Sequence, residues 1–225
     1  MVQVYVADLT EWMERGMPAE AVERLSAERR EKWEKQSGSV SALQSAAAEL
    51  LLRRALREQR IPAPIPWLWE RAEGGKPFLR NLPDVSFNLS HSGQYAACAL
   101  ADGAVGVDVQ MVSERARGAV VRRFCREEAA EIERAGNPAE AFCRIWTAKE
   151  AYLKMRGTGL RRSLDSFRIT RDGCVEDPPG IQTDFLVTWL PVEPGRRDAV
   201  LAVCARERCR ETAEFRKAAE LLQWL

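Results

Sequence analysis

The segment 86–110, SFNLSHSGQYAACALADGAVGVDVQ, contains the strand pattern from which we start to predict the fold of this chain. It contains three short strand candidates separated by two glycine turns, at 86–89, 95–101 and 104–109. Because Asp102-Gly103 is a strong signal for a tight hairpin, we expect these strands to form an antiparallel meander. The only histidine of the chain, His91, lies beside the first turn among serine and asparagine side chains. Such a polar cluster at a strand end is suited to binding a ligand.

The last of these strands carries an aspartate, a residue type that strands usually avoid. Three valines, at 105, 107 and 109, should face one side, while Gly106, Asp108 and Gln110 face the other. Asp108 is therefore either a partnered structural carboxylate or a ligand. Together with Glu150 it would form a two-carboxylate site for a hard cation such as Mg²⁺, which prefers one or two carboxylates, waters and a substrate phosphate.

A helix is predicted over 138–156, with Asn137 as its N-cap and Gly157 at its end. One stripe of this helix should face the core, formed by Ile145, Ala148, Ala151, Tyr152 and Met155. Glu150 and Lys154 lie four residues apart on the opposite side. The spacing fits an ordinary solvated ion pair as well as it fits a catalytic pair, so it does not decide between them.

The remaining patterns predict strands and helices in an order that occurs twice. We expect a strand at 2–7, a helix at 41–59, a helix from about 113 to 135, strands near 166–170, 183–190 and 198–205, and a C-terminal helix near 211–224. The order strand, helix, long helix, strands suggests an α+β fold of two similar halves, 1–104 and 105–225.

Composition excludes several classes of protein. Lys and Arg number 34 against 33 Asp and Glu, a net charge of +1, which argues against a general nucleic-acid binder. No run approaches the ~20 apolar residues of a membrane span, and the N-terminus lacks the features of a signal peptide. The six cysteines form no C-x-x-C pair, which favours reduced thiols and a cytoplasmic location.

Several basic side chains could bind phosphate, namely Arg29, Lys32, Lys76 and Lys154. The usual phosphate motifs are nevertheless missing, because the chain has no G-x-x-x-x-G-K-[ST] and no G-x-G-x-x-G after a strand. A serine hydrolase would require His91 as its base, but no G-x-S-x-G is present. One histidine and scattered cysteines also disfavour a zinc site.

Four segments in order resemble the 4'-phosphopantetheinyl transferases of the surfactin-synthetase type, over roughly residues 25–205. They are Gly75-Lys76-Pro77, the run FNLSHS at 87–92, the run GVDV at 106–109 and the run WTAKEAYLK at 146–154. The resemblance implies that the phosphopantetheine arm of coenzyme A is transferred to a serine of an acyl or peptidyl carrier protein, releasing adenosine 3',5'-bisphosphate. It also implies a pseudo-twofold fold of two α+β halves, each a small, mainly antiparallel sheet packed on a long helix, with the site in the cleft between them.

The resemblance assigns catalytic roles to three residues. Asp108 and Glu150 would hold Mg²⁺, with Mn²⁺ as the alternative metal, on the pyrophosphate of coenzyme A. Glu150 would also take the proton of the serine hydroxyl, directly or through a water. Lys154 would stabilise the charge on the leaving oxygen, because phosphoryl transfer depends on positioning and charge neutralisation.

The resemblance also assigns residues to coenzyme A. His91 with Ser90 would bind the 3'-phosphate and Lys76 would lie beside the nucleotide. The basic residues Arg29 and Lys32 would contact phosphate.

Two positions depart from the family pattern. Gln110 replaces the third acidic residue of the motif G-[IV]-D-[IV]-E, so we expect weaker metal binding, with Gln110 contributing a neutral oxygen or leaving its place to water. Gln44-Ser45 stands where the family usually has an arginine beside a small hydroxyl residue. Ser45 is a coenzyme A-binding candidate, while the family's arginine contact to phosphate or adenine has no basic counterpart at Gln44.

We expect a monomer that binds coenzyme A and an acidic apo-carrier protein. An apolar surface surrounded by arginines is the predicted docking site, formed by Val120, Val121, Phe124 and Cys125 with Arg122, Arg123 and Arg126. Two alternatives remain, a non-catalytic protein of the same fold that binds coenzyme A or a carrier, and a nucleotide-dependent hydrolase.

Overall fold

The computed structural model describes residues 1–36, 38–113, 117–209 and 212–223. Over these ranges the chain combines α-helices with two larger sheets and a two-stranded ribbon. Within the same ranges, none of the helices has both the length and the hydropathy that crossing a bilayer requires.

The strands and helices have the following bounds. The strands are β1 (Val2–Asp8), β2 (Trp69–Arg71), β3 (Pro77–Leu79), β4 (Ser86–Ser92), β5 (Tyr95–Ala101), β6 (Gly106–Met111), β7 (Arg168–Ile169), β8 (Cys174–Glu176), β9 (Gln182–Leu190), β10 (Ala199–Ala205) and β11 (Glu214–Lys217). The helices are α1 (Thr10–Arg15), α2 (Ala19–Glu23), α3 (Ala27–Lys35), α4 (Val40–Glu58), α5 (Arg117–Val121), α6 (Arg126–Arg134) and α7 (Pro138–Arg156).

The first sheet has the strand order β11-β1-β5-β4, and the second has the order β6-β10-β9-β8-β7. Helix α4 packs on the first sheet and α7 on the second, and each helix has nineteen residues. Alternation along the strands divides the apolar residues between the faces of each sheet. Tyr5 and Ala7 of β1 face α4, whereas Val4 and Val6 face the second sheet. The described fold is therefore layered as helix, sheet, sheet and helix.

The two sheets pack against each other through small and β-branched side chains. Val107 and Val109 of β6 lie in one apolar cluster with Val4 and Val6 of β1. All four are at most 2% exposed. This packing places the opposite face of β6, which carries Asp108, against α7.

The sequence predicted the two long helices and most of the strands correctly. Helix α7 begins and ends where its caps predicted, since the Asn137 side chain accepts a hydrogen bond from the Glu140 N–H and Gly157 adopts a positive φ of 70°. The mixed α and β class is confirmed. The division into halves at residue 104 stays a prediction, and β11 pairs in parallel with β1 in the first sheet.

The predicted meander is wrong at its third strand. Strands β4 and β5 form the expected antiparallel pair, but β6 pairs with β10 of the second sheet. The other edge of β5 is occupied by β1. The Asp102-Gly103 turn thus connects two sheets instead of closing a hairpin.

Two predicted helices are also wrong. The segment expected to be one helix from about 113 to 135 contains two short ones, α5 and α6, because the chain leaves helical geometry at Cys125, the N-cap of α6. Residues 114–116 lie outside the described part. In place of a C-terminal helix, residues 212–223 contain β11 and a 3₁₀ turn, Ala218–Leu222. Tertiary pairing with β1 outweighs the helical preference of this segment.

Candidate active site

Helix α7 crosses β6 at very short range because residue 106 is a glycine. A Cβ at Gly106 would lie 2.0 Å from the Ala151 carbonyl oxygen and 2.5 Å from the Met155 backbone nitrogen. No other residue would allow this approach without moving the helix. The contact places Asp108, two residues along the same face of β6, beside the side chains of α7.

Asp108 is held by two donors on one of its carboxylate oxygens. Its Oδ1 accepts hydrogen bonds from the Lys154 ammonium at 2.6 Å and from the Ser90 hydroxyl at 2.8 Å. Asp108 is 6% exposed, so the ion pair is largely shielded from water. Lys154 therefore forms its ion pair with Asp108 of β6. The alternative, a solvated ion pair between Lys154 and Glu150 on the helix surface, is wrong.

Glu150 is half-buried and incompletely satisfied. Its Oε1 is buried without a hydrogen-bond partner, and so is Oδ2 of Asp108. Burial raises the pKa of the Glu150 carboxyl, and the charge of Asp108 raises it further against the opposing effect of Lys154. Two buried, unsatisfied carboxylate oxygens on groups that influence each other are the usual sign of a missing cation or proton.

These two carboxylates fit a divalent cation such as Mg²⁺. Mg²⁺ commonly uses one or two protein carboxylates and completes its shell with water and substrate phosphate. Among the described residues, no cluster of three or more His, Cys, Asp or Glu side chains could hold a metal ion. Gln110 is half-buried, adds no charge, and its amide donates to the Met111 carbonyl oxygen at 3.4 Å.

A group of cationic side chains surrounds His91. The side chain of His91 is exposed but partly desolvated, which lowers its pKa, and the nearby charges of Lys154, Lys32 and Arg29 lower this pKa further. The pKa of Lys32 is lowered by burial and by Arg29, and its ammonium donates to the Ser45 hydroxyl at 3.1 Å. The structure thus brings together the predicted phosphate-binding residues from α3, α4 and β4. Mutually repelling cations of this kind are stabilised by an anion.

Arg29 is positioned by a residue that the sequence analysis missed. Glu49 of α4 has no exposed surface and lies 3.6 Å from the Arg29 guanidinium. It also accepts hydrogen bonds from the backbone and side chain of Ser26 and from Arg53. The sequence did contain a signal for this role. Glu49 is charged, yet it lies within the apolar run of α4 at a position that had to face the core.

Lys76 contacts the backbone just before β6. Its ammonium donates to the Val105 carbonyl oxygen at 2.8 Å, and burial lowers its pKa. A Cβ at Gly74 would overlap the Gly157 carbonyl oxygen, so a glycine is needed where the Lys76 loop touches the end of α7.

Gln44 stands where the family usually has an arginine, and its side chain contacts the backbone of the turn after β4. Its amide donates to the Gly93 carbonyl oxygen at 2.8 Å and so supports the turn that follows His91. The neighbouring Ser45 contacts Lys32. Gln44 therefore helps to hold His91 in place and adds no charge of its own.

A buried ion pair beneath α7 was also missed. Lys149 and Glu128 are 0% and 2% exposed, and their charged atoms lie 2.8 Å apart. Lys149 also donates to the carbonyl oxygens of Leu164 and Phe167, while Glu128 accepts the Ile169 N–H. The pair fastens α6 and the 164–169 segment to α7. The sequence indicated this pair only through Lys149, a charged residue on the core side of α7 that directly precedes Glu150.

The predicted docking surface needs correction. Phe124 and Cys125 are buried, because Phe124 stacks on Phe142 and the Cys125 thiol donates to the Phe167 carbonyl oxygen. Val120 and Val121 are half-buried against the same core. Only the basic side chains of that prediction stay exposed, at Arg122, Arg123 and Arg126.

Comparisons with known proteins identify the family of this chain. A family model described as the 4'-phosphopantetheinyl transferase superfamily matches residues 104–204, which include Asp108, Glu150 and Lys154. A 4'-phosphopantetheinyl transferase from Bacillus subtilis is 31% identical over 205 residues, covering 86% of this chain and 89% of the relative. The chain belongs to the 4'-phosphopantetheinyl transferase superfamily.

Two further relatives in this superfamily match over the same extent. The 4'-phosphopantetheinyl transferase ffp from Bacillus subtilis is 30% identical, and 4'-phosphopantetheinyl transferase Sfp from Bacillus subtilis strain 168 is 29% identical. Each match covers 86% of this chain and 89% of the relative. The resemblance inferred from the four sequence segments is therefore confirmed.

Proposed function

We propose that this protein transfers the 4'-phosphopantetheine arm of coenzyme A to a serine hydroxyl of an acyl or peptidyl carrier protein. The observation that carries the proposal is the pair of unsatisfied buried oxygens on Asp108 and Glu150, next to the ammonium of Lys154. The family membership supplies the substrate class. The products are the modified carrier and adenosine 3',5'-bisphosphate.

Asp108 and Glu150 would hold Mg²⁺, with Mn²⁺ as the alternative, through the two oxygens that lack partners. Bound there, the cation supplies charge neutralisation to the pyrophosphate of coenzyme A. Gln110 offers at most a neutral oxygen, directly or through water, so the site carries two carboxylate charges.

In the reaction, the serine Oγ forms a bond to the pantetheine-linked phosphorus, and the bond from that phosphorus to the bridging oxygen breaks. Glu150 receives the serine proton, directly or through a water, and its raised pKa makes it a better base than an ordinary carboxylate at neutral pH. Lys154 donates to the leaving oxygen as its negative charge develops. Lys154 already lies within this site, at 2.6 Å from Asp108.

The cationic group around His91 would bind the phosphates of coenzyme A. His91, Arg29 and Lys32 influence one another electrostatically, which supports a common anionic ligand. Ser45 lies beside Lys32, and Lys76 would lie by the nucleotide at the start of β6. Charge-assisted hydrogen bonds of this type bind phosphate strongly.

The partner would be an acidic carrier protein. The exposed Arg122, Arg123 and Arg126 around the start of α6 offer charge complementarity, although the aromatic side chain between them belongs to the core. We place the reaction in the cytoplasm, in agreement with the free thiols of Cys98, Cys125, Cys143, Cys174 and Cys204. We also propose that the protein is a monomer. We propose further that its two halves arose by duplication, because each large sheet packs against one nineteen-residue helix.

Mass spectrometry of an apo-carrier incubated with coenzyme A and Mg²⁺ tests the proposal. We expect the carrier to gain one phosphopantetheine group, and we expect no gain when its acceptor serine is replaced by alanine. A hydrolase would instead release adenosine 3',5'-bisphosphate without modifying the carrier. A non-catalytic binder would do neither. Absence of the mass gain on several different carriers would refute the transferase function.

A further inference from the structure

Three polar side chains of β4 fasten the first sheet to the second. The backbone N–H groups of Val107, Val109 and Met111 donate to Asn88 Oδ1 (2.8 Å), Ser90 Oγ (3.2 Å) and Ser92 Oγ (3.1 Å), respectively. The three bonds recur at every second residue on both strands, as expected for side chains on one face of a strand. Side-chain oxygens here take the place that carbonyl oxygens occupy within a sheet.

The middle bond of this ladder differs from the other two. The Ser90 hydroxyl also donates to Asp108 Oδ1 at 2.8 Å and accepts from the Lys154 ammonium at 2.9 Å. A serine hydroxyl has one donor and two acceptor lone pairs, so its three bonds use its full capacity. Ser90 is also 5% exposed. It has neither a free hydrogen-bonding position nor an open surface to offer to a phosphate.

We propose that Ser90 is a positioning residue that sets the geometry of Asp108 and Lys154 across the boundary between the sheets, and that it does not contact a phosphate of coenzyme A. The inference rests on the proposed function and changes the role of one residue within it. Ser90 and Lys154 both bind Oδ1 of Asp108, which leaves Oδ2 as the free oxygen. The orientation of this carboxylate is thereby fixed before substrate binds.

Loss of the Ser90 hydroxyl would leave Asp108 with Lys154 as its one remaining hydrogen-bond donor among the described residues. Lys154 is itself 27% exposed and has a flexible stem. The Val109 N–H would also lose its partner. Since phosphoryl transfer depends on accurate positioning, the chemical step should suffer more than the binding of coenzyme A.

Ser92 provides a matched control. It has the same side chain, lies on the same face of β4 and accepts one N–H from β6, but no bond to Asp108 or Lys154 is present among the described residues. Both Ser90→Ala and Ser92→Ala should lower Tm by a few degrees. Only Ser90→Ala should lower kcat by about tenfold or more, with the KM for coenzyme A within about twofold of wild type.

A binding experiment separates positioning from phosphate contact. Calorimetric titration, without carrier or divalent cation, compares the affinity for coenzyme A with that for 3'-dephospho-coenzyme A. Ser90→Ala should keep the wild-type preference for the 3'-phosphate, whereas His91→Ala should lose it. A Ser90→Ala enzyme that loses the preference as fully as His91→Ala would overturn the inference.

The outcomes also distinguish this inference from the proposed function. A wild-type enzyme that modifies no carrier overturns the transferase activity and the positioning role together. A wild-type enzyme that modifies carriers, combined with equal kcat values for Ser90→Ala and Ser92→Ala, overturns the positioning role alone.

Discussion

Helices α4 and α7 have the same length, and each buries one charged side chain completely. Only α7 also carries a charged side chain with a buried oxygen that lacks a hydrogen-bond partner. Glu49 of α4 is surrounded by Ser26, Arg29 and Arg53, which together provide donors to both of its oxygens. Lys149 of α7 is matched by two carbonyl oxygens and one carboxylate. Both residues therefore have a complete set of partners and belong to the scaffold.

Glu150, which follows Lys149 in α7, lacks such a complete set of partners. Glu150 retains a buried oxygen without a partner, and burial together with Asp108 raises its pKa. Since folding normally satisfies buried charges, a charge left incomplete beside a satisfied one marks the place where something else binds. The site therefore differs from its supporting scaffold in having unsatisfied hydrogen-bonding atoms, and burial of charge alone does not distinguish the two.

Glu150→Gln should produce the largest loss of activity. We expect transfer to fall by about 10³-fold, because the variant lacks both the proton acceptor and one metal ligand. The pKa of Glu150 is raised in the folded state, so its ionisation lowers stability as the pH rises above the ordinary carboxyl range. The metal-free variant should therefore melt at or above the Tm of wild type at neutral pH.

Glu140→Gln is the control for this prediction, since Glu140 is an exposed residue of the same helix. It should leave both kcat and Tm close to wild type. A Glu150→Gln protein with wild-type activity would show that Glu150 is no more important than an exposed carboxylate.

Lys149→Met should have the largest effect on stability. It leaves Glu128 buried without its partner, which typically costs about 3–5 kcal/mol in free energy of unfolding, measured by denaturant titration. The double variant Lys149→Met/Glu128→Leu should recover part of this loss, because it removes both charges but leaves the Leu164 and Phe167 carbonyl oxygens and the Ile169 N–H without these partners. If the double variant is no more stable than the single one, the pair does not behave as a satisfied scaffold charge.

His91→Ala should affect binding more than chemistry. We expect the KM for coenzyme A to rise about tenfold, equivalent to about 1.4 kcal/mol, which is the size of one charge-assisted hydrogen bond. The kcat should change little. Steady-state kinetics with coenzyme A as the varied substrate checks this, and a normal KM with a collapsed kcat would reassign His91 to catalysis.

Gln110→Glu should have the smallest effect, in the favourable direction. A third carboxylate beside Asp108 and Glu150 increases the negative charge of the site, so the Mg²⁺ concentration for half-maximal rate should fall a few-fold. Gln182→Glu, on an exposed part of β9, controls for the added charge alone. An unchanged Mg²⁺ requirement in Gln110→Glu would contradict our account of this departure from the family pattern.

Local patterns allowed much of this structure to be predicted from the sequence. The caps at Asn137 and Gly157 defined α7 because they depend on side chains adjacent in the chain. The alternation along β6 placed Val107 and Asp108 on opposite faces for the same reason. These features follow from geometry that spans only a few residues.

The partners of β6 could not be predicted in this way. Its hydrogen-bonded neighbour, β10, follows about ninety residues later, and no local pattern specifies that pairing. The ladder from β4 to β6 was missed for the same reason, since its serines resemble ordinary strand residues until the second sheet is placed. The contact between Lys154 and Asp108 likewise depends on the close approach at Gly106, so spacing on the helix alone could not reveal it.

The parallel pairing of β1 with β11 has a consequence for synthesis of the protein. Tyr5 lies opposite Glu214, so β1 lacks this neighbour until a segment about two hundred residues later in the chain has been synthesised. While residues 214–217 are still inside the ribosome, β1 presents an unpaired edge of the kind that promotes association between chains. The nascent chain therefore carries an open sheet edge until the segment 214–217 has emerged and paired with β1.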